Sequence, residues 1–257
     1  MILGAHQPSY LPWLGYLDKV ARSDVFVVMD DLQYESQNFQ NRNRIKLNHG
    51  AFWLTVPLLR GTQTDRICDK RIDNTGLGGR HHWQRRSWRT IETHYGKAPH
   101  FDRYATDLEI VFTRRWDHLL ELDLHILDLC RAWFGITGPV VRSSSLHLVG
   151  AKTARIIDMC QKVGAKVYLS GRGGSQDYLD VAALASAGIT VMWQQFRHPV
   201  YPQRYAGLGF TSHLGFLDAL CNVGPDAAAL LSPPIPRLRS LVHDHAASKG
   251  LCHESPA

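Results

Sequence analysis

Polar side chains are concentrated where three apolar segments of this 257-residue chain end. The first cluster follows Met1–Gly4 and Val25–Met29, and it holds groups that can move protons, form hydrogen bonds and neutralise negative charge. Its members are His6, Gln7, Tyr10, Trp13, Asp30, Gln33, Asn41, Arg42, Asn43, Arg44 and Lys46. Open α/β domains build their sites at the carboxyl ends of their strands, so this arrangement indicates a site.

A glycine-rich loop after the apolar segment 166–170 forms the second cluster. Its residues are Ser170, Gly171, Arg172, Gly173, Gly174, Asp177 and Tyr178. Glycines let the backbone approach a ligand closely, and successive N–H groups can form a nest for an anion. The spacing matches neither a Walker motif nor GxGxxG. A tight turn with Asp177 capping the next helix is the structural alternative.

The third cluster follows the apolar segment Thr190–Trp193. It contains Gln195, His198, Tyr201 and Gln203. Two prolines stiffen this stretch into an extended segment, from which His198 and Tyr201 are expected to project into a cleft. His198 is a candidate general base because histidine titrates near neutral pH. A surface histidine beside a proline explains the same residue equally well.

The neighbouring acids Asp30 and Asp31 are candidate oxygen ligands for Mg²⁺ at a strand end. The alternatives are a helix cap or an ion pair with Arg42 or Arg44. No histidine or cysteine spacing indicates a metal centre, and the five cysteines lack a CxxC pair. We therefore assign no metal ligands, and the cofactor stays open, with a nucleotide or Mg²⁺ as the two candidates.

The net charge of +6 favours anionic partners. Much of it comes from Arg80–Arg89, where Trp83 and Trp88 alternate with arginines. Such a segment can stack on and neutralise a nucleotide or RNA strand. An amphipathic helix with buried tryptophans is the structural alternative. We find neither a signal-peptide pattern nor an apolar run long enough to span a bilayer, so we expect a cytoplasmic protein without membrane contact.

Hydrophobic periodicity predicts the elements that must position these clusters. Strands and helices alternate at both ends of the chain, and a helical insertion covers about residues 80–136. This order predicts a single α/β domain over residues 1–231, with a Rossmann-like, mostly parallel sheet. The proline-rich tail 232–257 is expected to be partly disordered.

Several long motifs resemble the WbqC-like protein family from residue 1 to about residue 225. They include HQPSYLPWLGYLDKVARSDVFVVMDD, FWLTVPL, HYGKAPHF, KVYLSGRGGSQDYLD and GITVMWQQFRHPVYPQ. The family is known mainly from gene clusters for bacterial surface polysaccharides and specialised metabolites. The resemblance implies an enzyme of such a biosynthesis, which transfers an acyl or aminoacyl group to a sugar or small amine.

The order of elements is also distantly similar to that of nucleotidylyltransferase-like Rossmann domains. Those domains carry an HxGH motif at the first turn, whereas this chain has PWLGY there and lacks the second histidine. Nucleotidyl transfer is therefore not the chemistry that we infer from this likeness.

Our leading hypothesis is a small-molecule transferase with an anionic activated donor and an amine or sugar acceptor. We expect proton transfer by His6, Asp30 and His198. Arg42, Arg44, Lys46 and Arg172 are expected to bind the donor's charge, and the other polar residues named above to position the substrates. Two alternatives remain: a protein that binds tRNA, with aminoacyl-tRNA as a conceivable donor, and a non-catalytic assembly protein of the pathway.

Overall fold

The computed structural model describes residues 1–62, 64–173 and 179–233 as an α/β protein. Its strands are β1 (Ile2–His6), β2 (Val25–Val28), β3 (Arg42–Leu47), β4 (Gly50–Thr55), β5 (Val140–Arg142), β6 (Val167–Ser170) and β7 (Thr190–Trp193). Its helices are α1 (Leu14–Ala21), α2 (Trp83–Tyr95), α3 (Phe101–Thr113), α4 (Leu119–Trp133), α5 (Lys152–Val163), α6 (Val181–Ser186) and α7 (Phe216–Val223).

Five strands form one sheet in the order β5-β2-β1-β6-β7, and each neighbouring pair is parallel. Renumbered along the chain within the sheet, this order reads 3-2-1-4-5, the Rossmann-like arrangement. The direction of winding changes between β1 and β6. The predicted α/β class with a mostly parallel, Rossmann-like sheet is thus confirmed.

Both faces of the sheet are buried, which explains why its strands are almost wholly apolar. Phe26 and Val28 on one face pack in a cluster with Leu17 of α1. Leu3 and Val27 belong to a second cluster on the opposite face. Because successive side chains of a strand alternate between faces, the short run Val25–Val28 contributes to both clusters.

The tryptophans of α2 pack inward. Trp83 belongs to the main apolar cluster, and Trp88 stacks against Phe101 and Phe112 with ring centroids 6.0 and 6.1 Å away. The arginines of the same helix, Arg85, Arg86 and Arg89, are exposed. The amphipathic alternative therefore describes this helix, because the 3.6-residue period turns its aromatic side chains toward the core.

Helices α2 to α4 fill the region predicted as a helical insertion, while the single-domain boundary at residue 231 stays a prediction. Residues 234–257 of the expected tail lie outside the described residues. In the described ranges, every helix falls short of the length and apolar character that crossing a membrane requires.

Candidate functional site

A cleft of about 530 Å³ opens at the carboxyl ends of β1, β6 and β7. It is lined by His6, Trp13, Gly15, Tyr16, Lys19, Gly171, Arg172, Gly173, Gln194, Gln195, Phe196 and Arg197. The cleft lies where the winding of the sheet reverses, which is where doubly wound folds bind their ligands. Residues of all three predicted clusters thus meet here.

His6 is the last residue of β1, and its ring is open to the cleft. Its Nδ1 lies 3.0 Å from the Gln7 carbonyl oxygen, which can only accept a hydrogen bond. Nδ1 must therefore carry the proton in the neutral ring, and Nε2 keeps its lone pair. Desolvation of the ring by the surrounding cleft walls and the positive charge of Lys19 lower the His6 pKa to about 4. His6 is accordingly neutral at pH 7.

Lys19 reaches the same cleft from the buried side of α1. Its Nζ donates a hydrogen bond to the Ala5 carbonyl oxygen at 2.8 Å. Among the described residues, no carboxylate lies within ion-pair distance of this ammonium. Burial lowers the Lys19 pKa to about 8, so the cation predominates about tenfold at pH 7.

Aromatic side chains form one wall of the cleft. Trp13 meets Phe196 edge to face, with ring centroids 5.7 Å apart. A Cβ atom at Gly15 would lie only 2.1 Å from the Trp13 ring, so the indole can occupy this position only beside a glycine. His6 packs edge to face on Tyr16 at 5.2 Å.

The lining is electropositive. Arg172 and Arg197 join Lys19, and none of the described lining residues is acidic. Gln194 Nε2 donates hydrogen bonds to Gly15 O at 2.8 Å and to Asp18 Oδ2 at 2.7 Å. These bonds fix α1 against the end of β7. A cleft with this lining suits a ligand that carries negative charge.

Asp30 lies outside the cleft lining and is fully buried. Its oxygens accept hydrogen bonds from Arg142 Nε at 2.8 Å and from the Ser144 N and Oγ at 2.9 and 2.7 Å. Burial acts to raise the Asp30 pKa, but these bonds outweigh it and hold the pKa below its ordinary value. This is the environment of a structural carboxylate.

The ion pairs of the two acids correct a further expectation. Asp30 pairs with Arg142, and Asp31 Oδ2 pairs with Arg155 Nη2 at 2.5 Å; neither pairs with Arg42 or Arg44. The reason is tertiary, because the parallel register sets β5 beside β2 and brings its end to these acids. Since both carboxylates are engaged in this way, they do not fit a Mg²⁺ site. The described residues contain no cluster of three metal-binding side chains either.

His198 lies behind the aromatic wall. Its ring stacks parallel to Trp13 with centroids 6.3 Å apart, and Nδ1 lies 2.9 Å from the Pro199 carbonyl oxygen. Burial lowers the His198 pKa. Tyr201 is buried beside this ring and does not project into the cleft, which corrects the expectation for an extended segment.

Lys46 and Gln203 belong to a buried polar network. Lys46 Nζ donates to Gly209 O at 2.6 Å and to Gln203 Oε1 at 3.1 Å. Gln203 Nε2 and the Tyr95 hydroxyl donate to the two oxygens of Asp218 at 2.7 and 2.9 Å. These polar atoms are therefore occupied within the protein, where they join β3 to α2 and α7.

Other residues of the first cluster hold the first turn in place. Asn43 Nδ2 donates to the carbonyl oxygens of Tyr10 and Leu11 at 3.2 and 2.7 Å. Gln7 Oε1 accepts from Gln40 at 2.9 Å, and Asn41 Nδ2 donates to a backbone carbonyl at 2.8 Å. The same polar types that indicated a ligand site are instead engaged within the protein, and the two asparagines satisfy buried backbone carbonyls.

The remaining predicted residues are dispersed. Ser170 is buried at the end of β6, and Gln33 forms an isolated bridge with Arg66. Gly174, Asp177 and Tyr178 lie outside the described residues. Arg42 and Arg44 lie on the β3–β4 hairpin, away from the lining of the cleft.

Lys19 is the principal residue that the sequence reading missed. It sits four positions after Gly15 on α1, the crossover helix between two adjacent parallel strands. Such a helix is covered on most of its surface, and because lysine is rarely buried without a partner, a lysine on it deserves inspection as a functional residue. That reasoning, applied to LGYLDKVA, would have found it.

The fold and the cleft together define a Rossmann-like α/β protein with a cation-lined cleft at the switch point of its sheet. Residues 7–230 match the model of the WbqC-like protein family, and the chain belongs to that family. It is 32% identical over 224 residues to the uncharacterized protein Rv1507c of Mycobacterium tuberculosis, covering 86% of this chain and 93% of that protein. No solved structure gives a significant match.

Proposed function

We propose that the cleft is the active site of a small-molecule transferase. The reaction moves an acyl or aminoacyl group from an anionic activated donor to an amine or sugar hydroxyl. The observation that carries this proposal is the convergence of His6 and Lys19 in one cation-lined cleft. A neutral imidazole with an available Nε2 can serve as the general base of an acyl transfer, and a buried ammonium can stabilise its oxyanion.

The acceptor's nitrogen or oxygen attacks the donor carbonyl carbon while His6 Nε2 takes its proton. Lys19 donates a hydrogen bond to the oxyanion that forms as the carbonyl double bond opens. When the oxyanion collapses, the bond to the leaving group breaks, and the leaving group recovers the proton from His6. Atoms and charge balance without a further reactant.

Binding of the donor strengthens the base. Lys19 is one cause of the low His6 pKa, and an anionic donor in the cleft opposes that positive charge. The donor's negative charge therefore opposes the part of the pKa shift that Lys19 causes, while the larger part, caused by desolvation, remains. Proton uptake on binding is the thermodynamic counterpart of this partial reversal.

The test is a mass-spectrometric screen of acyl and aminoacyl thioesters and phosphoanhydrides against amines and amino sugars. His6→Asn is expected to lower the rate by about 10²–10⁴-fold, the usual contribution of a general base. Lys19→Met is expected to lower it comparably, because one oxyanion donor is worth about 10²–10³-fold. His49→Asn and Lys97→Met are matched controls at exposed positions.

Full turnover by a folded His6→Asn, Lys19→Met double variant would refute this active site. Retained pathway function in cells with that variant would instead favour the non-catalytic assembly hypothesis. The RNA hypothesis loses its main sequence argument, because the tryptophans of Arg80–Arg89 pack toward the core.

A further inference from the structure

The outer face of the β3–β4 hairpin carries two arginines and an exposed tryptophan. The antiparallel register sets Arg44 opposite Trp53. Arg42 lies two residues before Arg44 in the same strand and therefore on the same side. The Arg42 guanidinium carbon lies 4.4 Å from the Trp53 ring centroid, and that of Arg44 lies 5.7 Å away. Together with Phe39, whose ring centroid is 5.7 Å from that of Trp53, these residues form what we call the Trp53 face.

The aromatic rings of the Trp53 face are open to solvent. Trp53 is 39% exposed and Phe39 43% exposed. On the opposite side of the hairpin, Ile45 and Leu54 belong to the main apolar cluster, whereas Phe52 is 39% exposed. Packing of that side anchors the hairpin, so the outer side presents its rings without contributing to the core. Adjacent exposed aromatic rings of this kind mark binding surfaces.

The two arginines retain unused capacity for an anion. Their side-chain hydrogen bonds go to backbone oxygens, from Arg42 to Gln37 and from Arg44 to His213. In the described part of the chain, neither arginine forms an ion pair with a carboxylate. Guanidinium groups in this state suit phosphate, which they can bind through two parallel hydrogen bonds.

A continuous chain of contacts joins the Trp53 face to the cleft. Arg44 Nη2 lies 3.4 Å from the His213 carbonyl oxygen. The His213 ring lies 5.0 Å from that of Trp13, which lines the cleft. The Trp53 face therefore adjoins the aromatic wall of the cleft.

We propose that the Trp53 face binds the nucleotide part of the activated donor, a nucleoside diphosphate moiety. The base stacks on the exposed aromatic rings, and the phosphates are neutralised by Arg42 and Arg44. This inference rests on the proposed function, since it places the other end of that donor. It adds the donor class, which the cleft alone does not specify.

Isothermal titration with ADP tests the proposal, with adenosine and pyrophosphate as probes for the two halves of the ligand. ADP is expected to bind more tightly than either half. Trp53→Ala and the double variant Arg42→Gln, Arg44→Gln are each expected to weaken ADP binding about tenfold or more, whereas Trp53→Phe retains most of it. Phe52→Ala, on the opposite side of the hairpin, and Arg89→Gln are the matched controls.

The outcomes separate this proposal from the proposed function. Equal ADP affinity in wild type and the Trp53 and arginine variants overturns it, as does the absence of ADP binding. If Lys19→Met alone abolishes ADP binding, the nucleotide lies in the cleft, and only the transferase proposal survives. Binding of single-stranded RNA about 100-fold tighter than ADP, lost in the arginine variant, overturns the small-molecule donor in favour of RNA.

Discussion

Replacing Lys19 by methionine is expected to stabilise the protein at neutral pH and to lose this advantage in alkali. Burial lowers the Lys19 pKa from 10.5 to about 8, which corresponds to about 3 kcal/mol at about 1.4 kcal/mol per tenfold change. Methionine keeps a similar apolar stem without the charge. It also forfeits the hydrogen bond to Ala5 O, a loss of about 1 kcal/mol. The expected net gain at pH 6.5 is about 2 kcal/mol.

The direction in which the free energy of unfolding changes with pH tests whether the Lys19 pKa is lowered. Between the folded pKa near 8 and the unfolded value of 10.5, the unfolded chain holds more of the Lys19 proton. The titration of Lys19 therefore raises the free energy of unfolding of the wild type as the pH rises. Linkage over pH 6.5 to 10 gives about 2.5 kcal/mol, so wild type and Lys19→Met should become nearly equal at pH 10.

Urea unfolding followed by circular dichroism at pH 6.5 and pH 10 measures this difference. Comparing the two proteins at each pH cancels the titration of all other groups, and Lys97→Met controls for loss of an exposed lysine charge. In parallel, the His6 pKa measured by NMR should be higher in Lys19→Met than the wild-type value of about 4, because the variant lacks the Lys19 charge, which is one cause of the low pKa. A stability difference that does not vary with pH would refute the buried, depressed lysine and with it the electrostatics of the cleft.

Two further predictions concern residues outside the cleft. Asp30→Ala should lower the free energy of unfolding by about 1–3 kcal/mol, because the Ser144 N–H and hydroxyl lose their buried acceptor while Arg142 is half exposed and remains solvated; the exposed Asp107→Ala should change it little, and equal effects in urea unfolding would contradict this. The stabilisation from Asp30 should also be lost as the pH falls from the unfolded pKa through the lower folded one. Trp83→Ala should cost about 3–5 kcal/mol in the same assay, since its ring lies in the core, and a cost below about 1 kcal/mol would place it on the surface instead.

The strand-end rule predicted that residues of three distant segments would meet, and they line one cleft, because the rule depends on topology. His6, the Gly171–Gly173 loop and Gln195 are far apart in sequence, yet each lies at or just after the end of a strand of one parallel sheet. Parallel strands share an edge, so residues after them converge whatever the details of packing. Alternating elements and apolar runs were sufficient for that inference.

The same rule overestimated the site, since it cannot separate side chains that face a ligand from those that satisfy the fold. Lys46 and Gln203 are as polar as His6, but they meet Asp218 and a backbone carbonyl in a buried network. Asp30 likewise finds Arg142, which lies 112 positions later. Such pairings join distant positions, and no local spacing encodes them.

The sequence by itself determined the class of fold, the family and the sheet edge at which polar residues gather, because these follow from local periodicity and long motifs. Only the tertiary structure decided which polar groups remain available there. Burial and the charges brought close by packing make His6 neutral and lower the Lys19 pKa, and both effects depend on three-dimensional distance.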